Sequence, residues 1–431
     1  SSAASDVYKR QPVWSSVSSL SPQATPVALG TVYACTFGNT SGNTALGYYA
    51  LNNANTSGVC NTAIGTCALL NNTSGCGNTA VGYSALCANT TGCYNVAVGY
   101  CALCSNTFGC CNTAVGTLAM RGNTTGDTNV AVGRAALLCN TIGSNNVAVG
   151  GSSLYYNTTG SFNVAMGTNA LQSNTTGSCN VAVGHNAAYC GTSTTGVVAV
   201  GYSALCQSQV CNITAVGYSS LANNTTGCYN TALGFNALAT NTIGGSNTAV
   251  GLGALALNTT GNSNTALGAA ALNCNTIGAS NTALGASALC LNTTGAWNTA
   301  VGYFALVNNT TGCSNVAVGF NALLCNTTGV NNLALGYNSG CLITTGSCNV
   351  IIGSNTGTAI ATGNNNIIIS DGAGNIRHQF NCCGALSMDG SSYGTSGYVL
   401  TSQGNAAPPA WAAVTGVSQA KALALVMTLG F

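Results

Sequence analysis

The chain contains 24 cysteines but only two histidines, four aspartates and no glutamate. That inventory starves acid–base catalysis. His185 and His378 are far apart, and no serine or cysteine has a histidine and a carboxylate placed by a motif. The phosphate-loop phrase GxxxxGK[ST] never occurs, so the glycines do not cradle a nucleotide. The expectation is a protein that is not an enzyme and needs no cofactor. Zinc is not expected either, because no paired CxxC sets exist. Cys382 and Cys383 lie near His378, but adjacent cysteines are more often strained or separately paired than ligands.

The chemistry the cysteines can do is set by their spacing. Cys60/Cys76, Cys190/Cys206, Cys274/Cys290 and Cys325/Cys341 are sixteen residues apart, and Cys87/Cys104, Cys93/Cys110 and Cys211/Cys228 are seventeen apart. A chain that winds once per seventeen residues brings each pair to about 5 Å, inside the Cα window for a disulfide. A competing scheme pairs Cys87/Cys93, Cys104/Cys110, Cys206/Cys211 and Cys341/Cys348 across a turn, leaving Cys190, Cys274, Cys290 and Cys325 without partners. Turn-to-turn bonds are therefore favoured, with buried unpaired thiols as the remaining alternative. So many cysteines beside so few charges point to an oxidising compartment.

The element that must position them is a repeat. Residues 78–94 read NTAVGYSALCANTTGCY, and this phrase recurs with its first glycine at positions 30, 47, 65, 82 and onward to 353. Every step is seventeen residues except one of eighteen (47 to 65) and one of sixteen (201 to 217). A short fixed period over more than 300 residues is the signature of a stacked array. The sequence predicts an all-β, parallel β-solenoid (β-helix or β-roll) of about 20 seventeen-residue turns with non-repeating caps. Its divisions are an N-terminal extension over 1–27, the solenoid over 28–370, and a C-terminal cap and assembly segment over 371–431.

Within one unit, NTAVG reads as a short strand, YSALC as a second extended segment, and NTTG as a turn. Glycine at two places and the NTTG break leave no room for a stable helix. Stacking makes columns. Leu51, Leu69, Leu86 and their successors to Leu323 form an expected core column, and the Val, Leu, Ile or Met before the marker glycine forms a second. Strand side chains alternate, so the alanine preceding that residue (Ala45, Ala63, Ala80 through Ala334) is expected to face outward and admit a second copy closely. The leading asparagines, Asn43, Asn61 and Asn78 through Asn349, are expected to hydrogen-bond up and down the array as an amide ladder.

The phrase NTAVGYxAL with its NTTG turn resembles the head repeat of trimeric autotransporter adhesins, a parallel β-roll. It is also similar to long repeat proteins of bacterial surface fibres and phage tail fibres. The resemblance covers residues 28–370, although its period is longer than the autotransporter unit. Residues 394–414 look like a linker phrase common in phage structural proteins. The resemblance implies an extracellular fibre or adhesin on a cell or virion surface, with a fibre subunit preferred.

Charge is nearly absent, at 2% of residues and a net +2, which leaves no electrostatic footprint for nucleic acid. No uninterrupted apolar run is long enough for a transmembrane helix. The expected partners are copies of the chain itself, as a head-to-tail homopolymer or a trimer, and covalent glycans. Sequons begin at Asn39, Asn55, Asn72, Asn89, Asn123, Asn157, Asn174, Asn224, Asn258, Asn292, Asn309 and Asn326, with Asn212 out of register. Turn geometry alone also explains these asparagines, since the NTIG turns at Asn140, Asn241 and Asn275 keep the turn without the sequon.

The ends differ from the repeat. Residues 6–11 (DVYKRQ) are foreign in composition to the rest of the chain, and the absence of an initiator methionine and of an ordinary signal peptide suggests a processed or incomplete N-terminus. The apolar tail 422–431 supplies the assembly candidates Ala422, Leu423, Leu425, Val426, Met427, Leu429 and Phe431. They serve either as a final strand on their own cap or as a donor strand entering the next subunit. The alternative function is a binding protein for ice or carbohydrate. The Thr pair of NTTG lies in a turn, however, and the other Thr column is diluted by Val96, Val130 and Val147.

Overall fold

The computed structural model describes residues 42–52, 55, 57–209, 212–390, 392–394, 398–401 and 410–413. The chain is a parallel β-solenoid with a 17-residue turn. Its rungs each contribute one three-residue strand, from β1 (Thr44–Leu46) to β19 (Val350–Ile352). Each strand pairs in parallel with the strand of the next rung, alanine on alanine as far as Ala334: Ala80 on Ala97, Ala97 on Ala114. A rung takes the number of its strand, and positions within a rung run from 1 to 17, as in Asn78 to Tyr94.

The core is thin. In the third rung it consists of Ala80, Ala85 and Leu86, all fully buried, and the same trio recurs along the rod. This reverses one expectation. Alanine at position 3 points inward, while the larger residue at position 4 points out: Leu233, Leu267 and Leu335 are exposed. The reason is space. Leucine at position 9 fills the interior, and only a methyl fits opposite it.

A second expectation also fails. The segment YSALC is not a strand, because positions 7 and 9 take the left-handed conformation, as at Ser84 (φ 52) and Leu86 (φ 50). That conformation costs an L-residue about 1 kcal/mol, less than the roughly 2 kcal/mol gained by burying a leucine side chain. The Leu86 amide also donates to the Ala102 carbonyl of the next rung at 3.0 Å, so the turn remains stacked. At position 5 glycine is obligatory. Gly82 has φ 134, and a Cβ there would lie 2.5 Å from the Gly99 carbonyl oxygen.

The array closes at its C-terminal end. The leucine column stops at Leu323, Gly340 takes the next place, and Ile343, Ile351, Ile360 and Ile368 fill the interior instead. After β20 (Ile367–Ser370), which still pairs in parallel with β19, the chain reverses into antiparallel β21 (Ile376–Phe380) and β22 (Leu386–Ser387). Asp371 holds that reversal. Its carboxylate accepts from the Asn375 side chain, Arg377 and the Ala373 and Asn375 amides, which lower its pKa to about 2. A separate hairpin pairs Tyr398–Thr401 with Ala410–Ala413.

Candidate interaction surface

Two buried asparagine ladders hold most rungs in register. Asn78 at position 1 accepts the Asn95 backbone amide on its Oδ1 at 2.9 Å and donates through Nδ2 to Asn61 Oδ1 and to the Gly92 carbonyl. Asn89 at position 12 donates to Asn72 Oδ1 at 2.8 Å and to the same Gly92 carbonyl at 3.0 Å. Thus one carbonyl per rung receives both amides. The first threonine of NTTG completes the set, with Thr90 Oγ1 donating to the Thr107 carbonyl. The amide ladder read from the leading asparagines is present, and the turn asparagines form a second one.

The second ladder decides the sequons. Asn72, Asn89, Asn123, Asn157, Asn174, Asn224, Asn258, Asn292, Asn309 and Asn326 are buried, and their Nδ2 atoms donate to the glycine carbonyl three residues on. Nδ2 is the atom a glycan would occupy, so the folded array has no place for one at these positions. Asn55 belongs to the same ladder at its N-terminal side, donating to Gly58. Asn212 is exposed, and Asn39 lies outside the described residues.

The described cysteines are free thiols in the structure. The spacing argument does bring several pairs together. Cys190 donates its amide to the Cys206 carbonyl, Cys274 to Cys290 and Cys325 to Cys341, and Cys87 and Cys104 occupy the same position on adjacent rungs. Cys60 and Cys76 stand in different columns: Gly77, not Cys76, occupies the place of Cys60 on the next rung. The Cys228 partner, Cys211, lies outside the described residues. At position 16 the sulfur has other work. Cys93 Sγ accepts the Cys76 amide and Cys110 Sγ accepts the Cys93 amide, both at 3.1 Å. Further along, Asp127, Ser144 and Ser161 accept in the same way, so cysteine here stands among ordinary hydrogen-bond acceptors. Burial raises the pKa of Cys87, Cys190, Cys206, Cys290 and Cys341, and that of Cys104 to about 11. Among the described residues, no three metal-ligating side chains come together.

What the ladders present to the outside is an apolar face. Positions 2 and 4 of the rung strands point outward, mostly as threonine or valine and as valine or leucine, with Leu333, Ile64, Met166 and Ile352 as exceptions, and position 6 adds a column of rings. Tyr83 and Tyr100 stack at 5.5 Å. His185, Tyr202, Tyr218 and Phe235 form a run at 5.1–5.2 Å, and Tyr303, Phe320 and Tyr337 another. Between these tracts position 6 holds Thr117, Arg134, Gly151 and Thr168, and then Leu252, Ala269 and Ala286. Arg134 is the one charged residue at positions 2, 4 and 6 of the described rungs. Sequence reasoning missed this face by placing position 4 inside, although the recurrence of aromatics at position 6 was there to be read. No helix among the described residues is long and apolar enough to cross a membrane. Compared with protein-family models, curated proteins and solved structures, the chain finds no match, so the likeness to surface-fibre repeats rests on the repeat phrase.

Proposed function

We propose that the chain is a structural subunit of an extracellular filament or surface fibre. The observation that carries this is the ladder: a rod roughly 90 Å long, at about 4.8 Å per rung, held by side-chain amides repeated from rung to rung. Such a network gives length and stiffness. End-to-end growth would use the non-repeating termini, and the candidates Ala422, Leu423, Leu425, Val426, Met427, Leu429 and Phe431 lie outside the described residues. Near-absence of charge favours association. Electron microscopy of the purified chain tests the reading. Filaments several rod-lengths long are expected, abolished by deletion of residues 422–431. Single rods at every concentration would refute it.

A second reading, a binding surface for ice or carbohydrate, draws on one observation. Thr214, Thr231, Thr248, Thr265, Thr282 and Thr299 form an unbroken column at the outward position 2. Thermal hysteresis separates the two, because a filament subunit without ice affinity shows none.

A further inference from the structure

We propose that the outward face of the solenoid is the interface with a second copy of the chain, docked antiparallel so that the aromatic tracts of one copy fill the non-aromatic tracts of the other. This inference is independent of end-to-end growth. A chain that forms no filament can still pair through its side.

Three observations select a second copy as the occupant. The first is extent. Sixteen rungs at ~4.8 Å and a width of about 10 Å give roughly 750 Å² per copy, hence about 1,500 Å² in a pair. That exceeds the 300–600 Å² apolar patch usual on a monomer and falls in the range of a stable interface. The described residues lay nothing over the position 4 side chains: Met166, Leu233, Leu267 and Leu335 all remain more than 40% exposed. The second is chemistry, since a face with one charge offers nothing to a charged partner. The third is pattern. A two-fold axis lying across the rods, between the eighth and ninth rungs, keeps each column opposite itself and sets rung n against rung 17 − n.

In that register the rings of His185, Tyr202, Tyr218 and Phe235 meet Thr168, Gly151, Arg134 and Thr117 in turn. Tyr83 and Tyr100 meet Ala269 and Leu252. From the second to the fifteenth rung no ring faces a ring and no gap faces a gap, except the small pair Thr66 and Ala286. Arg134 falls over the Tyr218 ring, a favourable cation–π position. Shifting the axis by half a rung either way breaks the match, setting Tyr100 on Phe235 or His185 on itself. Across a two-fold parallel to the rods, rungs meet at equal height and the bulky and small tracts do not alternate.

Gly151 makes the register testable. A Cβ at this residue meets nothing within 4 Å in its own chain, so a side chain added there disturbs only what docks from outside. The experiment is sedimentation of the full chain under reducing conditions, with tail-deleted protein if filaments form. A dimer is expected. G151W, opposite Tyr202, should raise the dissociation constant at least about tenfold with an unchanged circular-dichroism spectrum. A286W, opposite Thr66, should leave it within a factor of about three. T168W, opposite His185, replaces G151W should the latter misfold. A monomeric or trimeric parent chain overturns the proposal, and equal effects of G151W and A286W overturn the antiparallel register.

Discussion

The rungs around Asn264 and those between Tyr189 and Asn224 are built on the same phrase, but only the first have both amide ladders. Asn264 receives and passes on hydrogen bonds in an unbroken series from Asn230 to Asn366. In the second region position 1 holds Val197 and Ile213, while position 12 holds Gly191 and Ser208. Both ladders fail together at the tenth rung, which begins at Val197 and carries Ser208, and there the period slips to sixteen residues, Val198 pairing with Thr214. Asn174 Oδ1 and Thr194 Oγ1 are left buried without partners. Strand pairing continues through the seam regardless. Three-residue strands therefore tolerate a slip without either ladder, just as the first rung takes an eighteen-residue step with Asn43 still accepting the Asn61 amide.

The largest expected effect follows from this contrast. Asn264→Ala removes the acceptor of the buried Asn281 amide at 3.0 Å and one donor to the Gly278 carbonyl. It should cost about 2 kcal/mol, because the Asn281 amide is left buried without an acceptor while the Gly278 carbonyl keeps the Asn275 side chain. Asn264→Asp should cost more, since a carboxylate would face the Asn247 and Gly278 oxygens. Ile213→Asn in the seam should shift stability by less than about 1 kcal/mol, because a lost apolar side chain offsets new amide bonds. The double change Val197→Asn with Ile213→Asn would rejoin Asn180 to Asn230 and should exceed the sum of its parts. Urea melts of these four variants and of Val197→Asn alone measure this, and additive seam variants would show that the ladder is not cooperative.

A second consequence concerns opening. Local unfolding starts where buried groups are least satisfied, so limited proteolysis should cut first between residues 189 and 212 and release two resistant halves. Hydrogen exchange should be fastest there and slowest at the asparagine amides of ladder rungs. Uniform protection along the rod would erase the distinction between seam and ladder.

These two regions also show what a sequence can reveal of such a fold. The period, the leucine column and the leading-asparagine ladder are legible because each repeats one residue type at one spacing. The second ladder was hidden behind its turn chemistry, since Asn89 satisfies a turn and a stack with the same side chain. The inward alanine was misjudged because size is a poor guide to burial in a core only one leucine wide. Left-handed backbone at positions 7 and 17 had a faint signal in Asn169, Asn186, Asn236, Asn145 and Asn331, which tolerate that conformation, but Leu118, Tyr94 and Trp297 diluted it. The outward face was missed as a direct result of the alanine error.

A smaller effect comes from pH. Thiols in both regions have raised pKa values, among them Cys104 in the ladder and Cys190 and Cys206 in the seam. A thiol that holds its proton more tightly when folded contributes stability that is intact below its ordinary pKa of 9.0. That contribution is lost as pH climbs through the folded value, about 11 for Cys104. The melting temperature in reducing buffer should therefore fall between pH 9 and 11, and Cys206→Ser should reduce the drop in the seam. A melting temperature constant over that range would show that the thiols ionise equally in both states.

The least perturbing test asks how each region obtains its left-handed corner at position 17. The seam uses residues suited to it, Gly196 (φ 69) and Asn212 (φ 58), whereas a ladder rung holds Trp297 at φ 59. Trp297 is 67% exposed, so its indole returns little burial for a conformation costing about 1 kcal/mol. Its amide donates to the Ala279 carbonyl at 3.1 Å, and the Asn281 and Asn298 ladder bonds flank it, which together hold the backbone where a tryptophan would not go by itself. Trp297→Asn keeps that hydrogen bond and relieves the corner, so it should stabilise the chain by about 1 kcal/mol. The reverse change in the seam, Asn212→Trp, has no flanking ladder to impose the conformation and should cost at least as much. Equal effects of opposite sign would mean that the corner is paid for locally in both regions; a larger loss at Asn212 would show the ladder imposing backbone geometry on residues that disfavour it.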